Sequence, residues 1–169
     1  AYVLHMDFSI DGRILRSDDG NKDTNYWDAY GGKVIFNSTN NNTRKSKQSL
    51  QNMNKIKNIQ WASKTCPLDE NCKGIWTGAN SGVDDIRAMD FYPSRTPMNH
   101  LDGIIAIAND YGKIQLYKSP CLENVIMDAY RGHSVHVTNV KFTSDGKKML
   151  SIGGLDRCIM QWNIRSDNK

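Results

Sequence analysis

The sequence predicts an all-β fold of short antiparallel strands, and three observations carry the prediction. Runs of about four to eight residues rich in Val, Ile, Thr and Tyr alternate in polarity along the chain. Turn chemistry separates them, as in TSDG (Thr143–Gly146) and NDYG (Asn109–Gly112). One stretch, Gly132–Ile164, holds a full set of such runs and turns in a fixed order.

Gly132-His133 opens that stretch. VHVTNVKF (Val135–Phe142) is its first strand, TSDG its turn and Met149–Ile152 its second strand. Gly153–Asp156 is a second turn, and Cys158–Ile164 is a third strand carrying Trp162. A Gly-His start, three short strands and a late Trp match the WD40 repeat, the blade of a β-propeller. His133 and Asp156 are placed to hydrogen-bond, tying the opening loop to the second turn, and the Trp162 indole needs a buried partner. The pattern wants Ser or Thr four residues before the Asp; that position is Ile152, and strand alternation turns Ser151 to the other face. The expectation is a His133–Asp156 pair with a weakened link to Trp162.

The rest of the chain divides in the same way. Residues 1–36 read as a blade lacking the Gly-His start: strands Tyr2–Ser9, Arg13–Arg16 and Thr24–Asp28, a polar loop Ser17–Asp23, and Lys33–Phe36 as an outer strand. Trp27-Asp28 ends the third strand, where the repeat takes its name. Residues 37–54 are an Asn/Lys-rich mobile insertion. Residues 55–82 form an atypical blade segment, with strands at Asn58–Thr65 and Lys73–Trp76. Residues 83–130 are a WD40-like blade with strands Asp85–Tyr92, Gly103–Ala108 and Lys113–Tyr117, in which Asp110 ties down the second turn and Tyr117 stands in for the Trp. Residues 131–169 are the C-terminal blade. A repeat takes about 40–45 residues, and rings close with about 4–8 blades. The reading is therefore a partial WD40-type β-propeller, about three to four blades of a larger one, from a longer parent protein.

The chain has 169 residues, 38% of them hydrophobic, enough for one domain with a core. Its formal net charge is +4, and Arg44, Lys45, Lys47, Lys55 and Lys57 alone exceed it in a stretch without Asp or Glu. Arg44, Lys45 and Lys47 form either a basic arm for an acidic partner or part of a tolerated surface loop; the Asn-rich composition, without a recognition pattern, favours the loop. The folded remainder carries no basic excess, so no nucleic acid is expected. The longest apolar run, Gly103–Ala108, is far too short to cross a membrane. The four Cys, at 66, 72, 121 and 158, show no CxxC pairing and read as reduced thiols.

The motifs together resemble the C-terminal end of echinoderm microtubule-associated protein-like (EMAP-like) proteins. The matching residues are Trp61-Ala62, Thr65-Cys66, Leu68, Gly74-Ile75-Trp76, Tyr111-Gly112-Lys113, Gly132-His133-Ser134, His136–Val140, Gly153-Gly154, Asp156 and Gln161-Trp162. Thr77 stands where the family has Pro, and Asp69 where it has Gly. The resemblance covers nearly the whole chain apart from residues 37–54. It implies a cytoplasmic, cytoskeletal scaffold with tubulin or microtubules as partners, this chain being the last part of the second of two propellers.

No enzyme emerges from the residues. His133 and His136 have no third ligand nearby, Asp18-Asp19 and Asp84-Asp85 read as loop carboxylates, and no glycine-rich phosphate loop or nucleophile–base pair is present. No cofactor is expected. The functional reading is a docking surface for proteins, formed by Arg131–His136, Asn109–Tyr111 and Gly154–Arg157. Its candidate contacts are Arg131, His136, Leu155, Arg157, Asn109 and Tyr111. Arg131 and Arg157 either meet acidic groups of a partner or are solvated. The alternative is a general WD40 adaptor of a ubiquitin-ligase or trafficking complex. A part-propeller also exposes sheet edges and an apolar flank, which invites self-association.

Overall fold

The computed structural model describes residues 1–37, 56, 58–76, 86–94, 102–122 and 128–165. The chain forms two compact units, Ala1–Leu68 and Asp69–Lys169.

The first unit is a four-stranded antiparallel sheet in the order β1 (Val3–Phe8), β2 (Ile14–Asp19), β3 (Thr24–Asp28), β4 (Lys33–Asn37). The β1–β2 turn forms because Gly12 adopts a left-handed φ of 70° while the Ser9 hydroxyl donates to Asp11. β2 runs on to Asp19, through residues that read as loop. Ser17 and Asp18 look like turn residues because they are polar, yet both are buried and hydrogen-bonded to neighbouring strands. The Trp27 indole N–H donates to Ser17 Oγ at 3.1 Å, and Asp18 Oδ1 lies 2.8 Å from His5 Nδ1 and accepts the His5 backbone N–H. Asp18 is therefore a core carboxylate and not a loop one. Asn37, read as the start of the insertion, ends β4 and bonds Asn25 across the strand pair.

β1 is polar inside and apolar outside: His5, Asp7 and Ser9 are buried while Leu4, Met6 and Phe8 are exposed. Asp7 explains the inversion. Arg16 donates to its Oδ2 through Nε at 3.0 Å, and Nη2 lies 2.9 Å from the same oxygen. The carboxylate also accepts the Thr65 and Cys66 backbone N–H groups and the Ser63 and Thr65 hydroxyls, at 2.6 to 3.0 Å. Burial would raise the Asp7 pKa, but Arg16 and these donors outweigh it and hold it below the ordinary carboxylate value. The Arg16 guanidinium in turn lies 4.4 Å over the Trp61 ring.

The strand expected at Asn58–Thr65 is not formed. That segment makes one bridge, Ser9 to Trp61, and otherwise follows the edge of β1, with Ile10 N donating to Gln60 O and Ala62 N to Phe8 O. At its end the Thr65 N–H, and the Cys66 N–H just after it, go to the Asp7 side chain, which there replaces a ladder partner. The edge of β1 is thereby covered.

In the second unit, Glu70–Trp76 is a 3-10 helix and not the strand expected over Lys73–Trp76. It is pinned to the chain after β7 by Gly74 N to Cys121 O at 2.7 Å and Cys121 N to Asn71 O at 2.8 Å. One sheet has the order β5 (Ile86–Pro93), β6 (Gly103–Asn109), β7 (Lys113–Ser119), β8 (Asp128–Arg131); the other has the order β11 (Ile159–Asn163), β10 (Lys148–Gly153), β9 (Val137–Phe142). Arg131 pairs with Lys113 and so completes the second sheet instead of starting the third. One apolar cluster lies between the two sheets, with Ala88, Ala106, Ala108 and Ile114 against Val137, Val140, Phe142 and Met149. The other joins Met89, Ile105, Ile107 and Tyr117 to Cys72 and Ile75. Tyr117 is buried there, and burial pushes its phenol up to about 12. Asp90 ties the two sheets, accepting Phe142 N at 2.7 Å and Lys141 Nζ at 2.6 Å. Cys66, Cys72 and Cys121 are buried free thiols and Cys158 is exposed.

Candidate protein-contact surface

Four side chains make a continuous chain of hydrogen bonds through the third sheet. Asp156 Oδ2 lies 2.8 Å from His133 Nδ1, His133 Nε2 lies 2.8 Å from Ser151 Oγ, and Trp162 Nε1 donates to Ser151 Oγ at 2.9 Å. The weakened link expected at Trp162 is corrected: Ser151 is the bridge, and Ile152 faces outward. β10 buries Met149, Ser151 and Gly153 in alternation. Ser151 stands five residues before Asp156 and not four, and the β9–β10 register shifts between Ile152 and Gly153, so counting back four from Asp156 misplaces the inward face by one. The Cys158 backbone N–H is the main cause holding the Asp156 pKa below its ordinary value, with His133 and Ser134 adding to it against burial. Replacing Ser151 by Ala leaves the Trp162 indole and a His133 ring nitrogen without their partner; a loss of about 1–3 kcal/mol in urea unfolding is expected.

This chain of bonds joins two loops, and a close approach at Gly112 sets a third beside them. Gly154 N donates to His136 O at 3.1 Å. Gly112, at a φ of 71°, lies so close to the 133–135 loop that a Cβ there would sit 2.4 Å from His133 O. The β6–β7 turn is held by Asn109, whose Oδ1 accepts the N–H groups of Tyr111 at 3.0 Å and Lys113 at 3.1 Å. Asn109 is buried, so it is a structural residue and not a partner contact. The turn-tying task read for Asp110 belongs to Asn109; Asp110 makes a two-pronged pair with Arg87.

Of the sequence-derived contacts, Tyr111, Arg131, Leu155 and Arg157 are exposed, and His136 is half-buried. They lie on the three adjoining loops or, for Arg131, at the end of β8 beside them. Trp27 belongs to the first unit, bonded to Ser17. Arg44, Lys45 and Lys47 lie outside the described residues, as do Asp84 and Asp85. Asp7 and Asp90 were missed as organising residues. The signal for both is in the sequence: Met-Asp-Phe occurs twice, at Met6-Asp7-Phe8 and Met89-Asp90-Phe91, and each Asp holds a segment that comes later in the chain. Among the described residues, no three His, Cys, Asp or Glu side chains come together as a metal site.

The echinoderm microtubule-associated protein second beta-propeller family model matches residues 1–164. The chain is 31% identical over 165 residues to human echinoderm microtubule-associated protein-like 3, covering 97% of this chain and 16% of that protein. It is 32% identical over 165 residues to echinoderm microtubule-associated protein-like 4 of Xenopus tropicalis, covering 97% of this chain and 15% of that protein. Among solved structures, a computationally designed protein, Ika8, superposes with a TM-score of 0.49 at 15% identity, over 97% of this chain and 46% of that one. The three antiparallel sheets are blades of a partial β-propeller, and the chain belongs to the echinoderm microtubule-associated protein-like family, matching its second propeller.

Proposed function

We propose that this chain is a non-enzymatic scaffold segment of a microtubule-associated protein, docking protein partners, tubulin among them, through the loops around Tyr111, Arg131, Leu155 and Arg157. The observation that carries the proposal is the exposure of two arginines, an aromatic ring and a leucine on loops that buried hydrogen bonds hold rigid. Rigid loops bind without a large ordering cost, and an arginine pair suits an acidic surface. The names of the family's members, which say microtubule-associated, favour tubulin as that surface. The same reading places the protein in the cytoplasm with the cytoskeleton. No helix among the described residues is long and apolar enough to cross a membrane.

Cosedimentation of the full-length parent with microtubules tests the reading. Reversing both charges, Arg131→Glu with Arg157→Glu, should weaken binding by about tenfold or more, and raising salt should weaken the unmodified protein in the same direction. Unchanged binding by the reversed variant removes these loops from the contact. No binding by the parent removes the cytoskeletal role and leaves a general adaptor.

A further inference from the structure

One hydroxyl on the contact loops has surroundings that partner docking does not explain. Ser134 follows Arg131 by three residues and precedes an apolar one, in the order Arg131-Gly132-His133-Ser134-Val135. Arginine-directed serine/threonine kinases recognise this arrangement. The guanidinium three residues before the hydroxyl pairs with carboxylates of the kinase, and the apolar side chain after it fills a hydrophobic pocket. No other arginine in the sequence has Ser or Thr three residues after it.

The fold presents these groups together. Arg131 ends β8, the edge strand of its sheet, whose four residues are all exposed. The strand already holds the arginine in extended backbone, the form in which a kinase groove takes its substrate. Ser134 is exposed, in the stretch without strand structure between β8 and β9. Its hydroxyl makes no hydrogen bond among the described residues, and its N–H donates to Asp156 Oδ2 at 3.3 Å. Other hydroxyls of the chain differ. Ser17 and Ser151 are buried and accept from Trp27 and Trp162, and the Thr138 hydroxyl donates to Ile152 O.

We infer that Ser134 is a phosphorylation site for an arginine-directed kinase, and that phosphate there releases acidic partners from the contact surface. The release rests on the docking reading given above; the site itself does not. In the step, Ser134 Oγ attacks the γ-phosphorus of a nucleoside triphosphate. The new O–P bond forms as the bond to the leaving nucleoside diphosphate breaks, and the hydroxyl proton goes to the kinase's base. The product carries a charge of about −1.5 to −2 at neutral pH. That charge offsets the positive charges of Arg131 and Arg157 on which an acidic partner depends. The Asp156 carboxylate, held at the Ser134 N–H, repels the phosphate toward solvent, where such a partner approaches.

The test treats the folded full-length parent with ATP and cyclic-AMP-dependent protein kinase, an arginine-directed enzyme, and maps the phosphate by peptide mass spectrometry. Phosphate is expected on Ser134, and Arg131→Ala should slow its incorporation there by about tenfold or more. A synthetic peptide of residues 128–139 controls for access. Phosphate on the peptide but not on the folded parent means that the fold closes the site, and overturns the inference; so does a rate unchanged by Arg131→Ala. Microtubule cosedimentation then reads the release. Kinase treatment should weaken binding by about tenfold or more, while Ser134→Ala should bind equally before and after treatment. Phosphate on Ser134 with unchanged binding overturns the release, and leaves the docking reading standing where Arg131→Glu with Arg157→Glu still weakens binding. A parent that never binds microtubules overturns the docking reading and the release with it, and the phosphate map still decides the site.

Discussion

Asp7→Ala should lower the stability of the first unit by about 3–5 kcal/mol, the range for breaking a buried ion pair by removing one partner. The size follows from what remains. Arg16 is left charged and buried, with 2% of its side chain exposed, and the N–H groups of Thr65 and Cys66 lose their acceptor. Asn is no remedy. It removes the charge that Arg16 needs and turns an amide N–H₂ toward groups that are themselves donors. Urea unfolding followed by far-ultraviolet circular dichroism should show an early transition in both variants, and a variant that unfolds like the unmodified chain would remove Asp7 from the core account. Acid should imitate the substitution. The folded pKa of Asp7 lies below its unfolded value of about 3.9. The folded state therefore gains stability from this group in full above that value, and loses it as pH falls from there through the folded pKa. Asp7→Ala should flatten the acid limb of the stability profile.

Gly112→Ala should cost about 3 kcal/mol, from two separable causes. A left-handed φ of 71° is unfavourable for any residue with a Cβ, by about 1–2 kcal/mol. The added carbon would also sit 2.4 Å from a backbone oxygen of the 133–135 loop, an overpacking cost of about 1–3 kcal/mol. Gly12 separates the two: its φ is 70°, with nothing within 4 Å of a Cβ. Gly12→Ala should therefore lose only the conformational part, about 1 kcal/mol. Equal losses in the two variants would show that the turn does not press on the loop. A larger loss at Gly112 should also loosen the proposed contact surface, read as faster amide exchange at Ser134–His136.

The strands were legible where side-chain polarity and burial agree. Thr24–Asp28, Gly103–Ala108 and Lys113–Tyr117 are examples, each found within about two residues of its place. The reading lost ground where a buried polar group has a partner remote in sequence. Ser17 and Asp18 look like loop because their acceptors and donors, Trp27 and His5, come from neighbouring strands. Asn58–Thr65 looks like strand because nothing local shows that its hydroxyls at Ser63 and Thr65 and the Thr65 N–H belong to Asp7. Ser151 was misplaced by a one-residue difference in its spacing from Asp156, which inverts every face assignment behind it. In the contact surface, the loops themselves were legible, while the division of labour between Asn109 and Asp110 was not. Both are good turn residues, and only the backbone geometry decides which side chain folds back.

The bond from Thr65 to Asp7 spans 58 residues. During synthesis the four strands of the first sheet emerge well before the segment that satisfies its buried carboxylate. At about 5–20 residues per second, the interval between Asp7 and Thr65 is about 3–12 seconds. For that time the nascent sheet holds an Asp–Arg pair without its other donors and an uncovered edge at β1. The residues between β4 and this segment lengthen the wait, so their number acts on when the first unit can close on the ribosome.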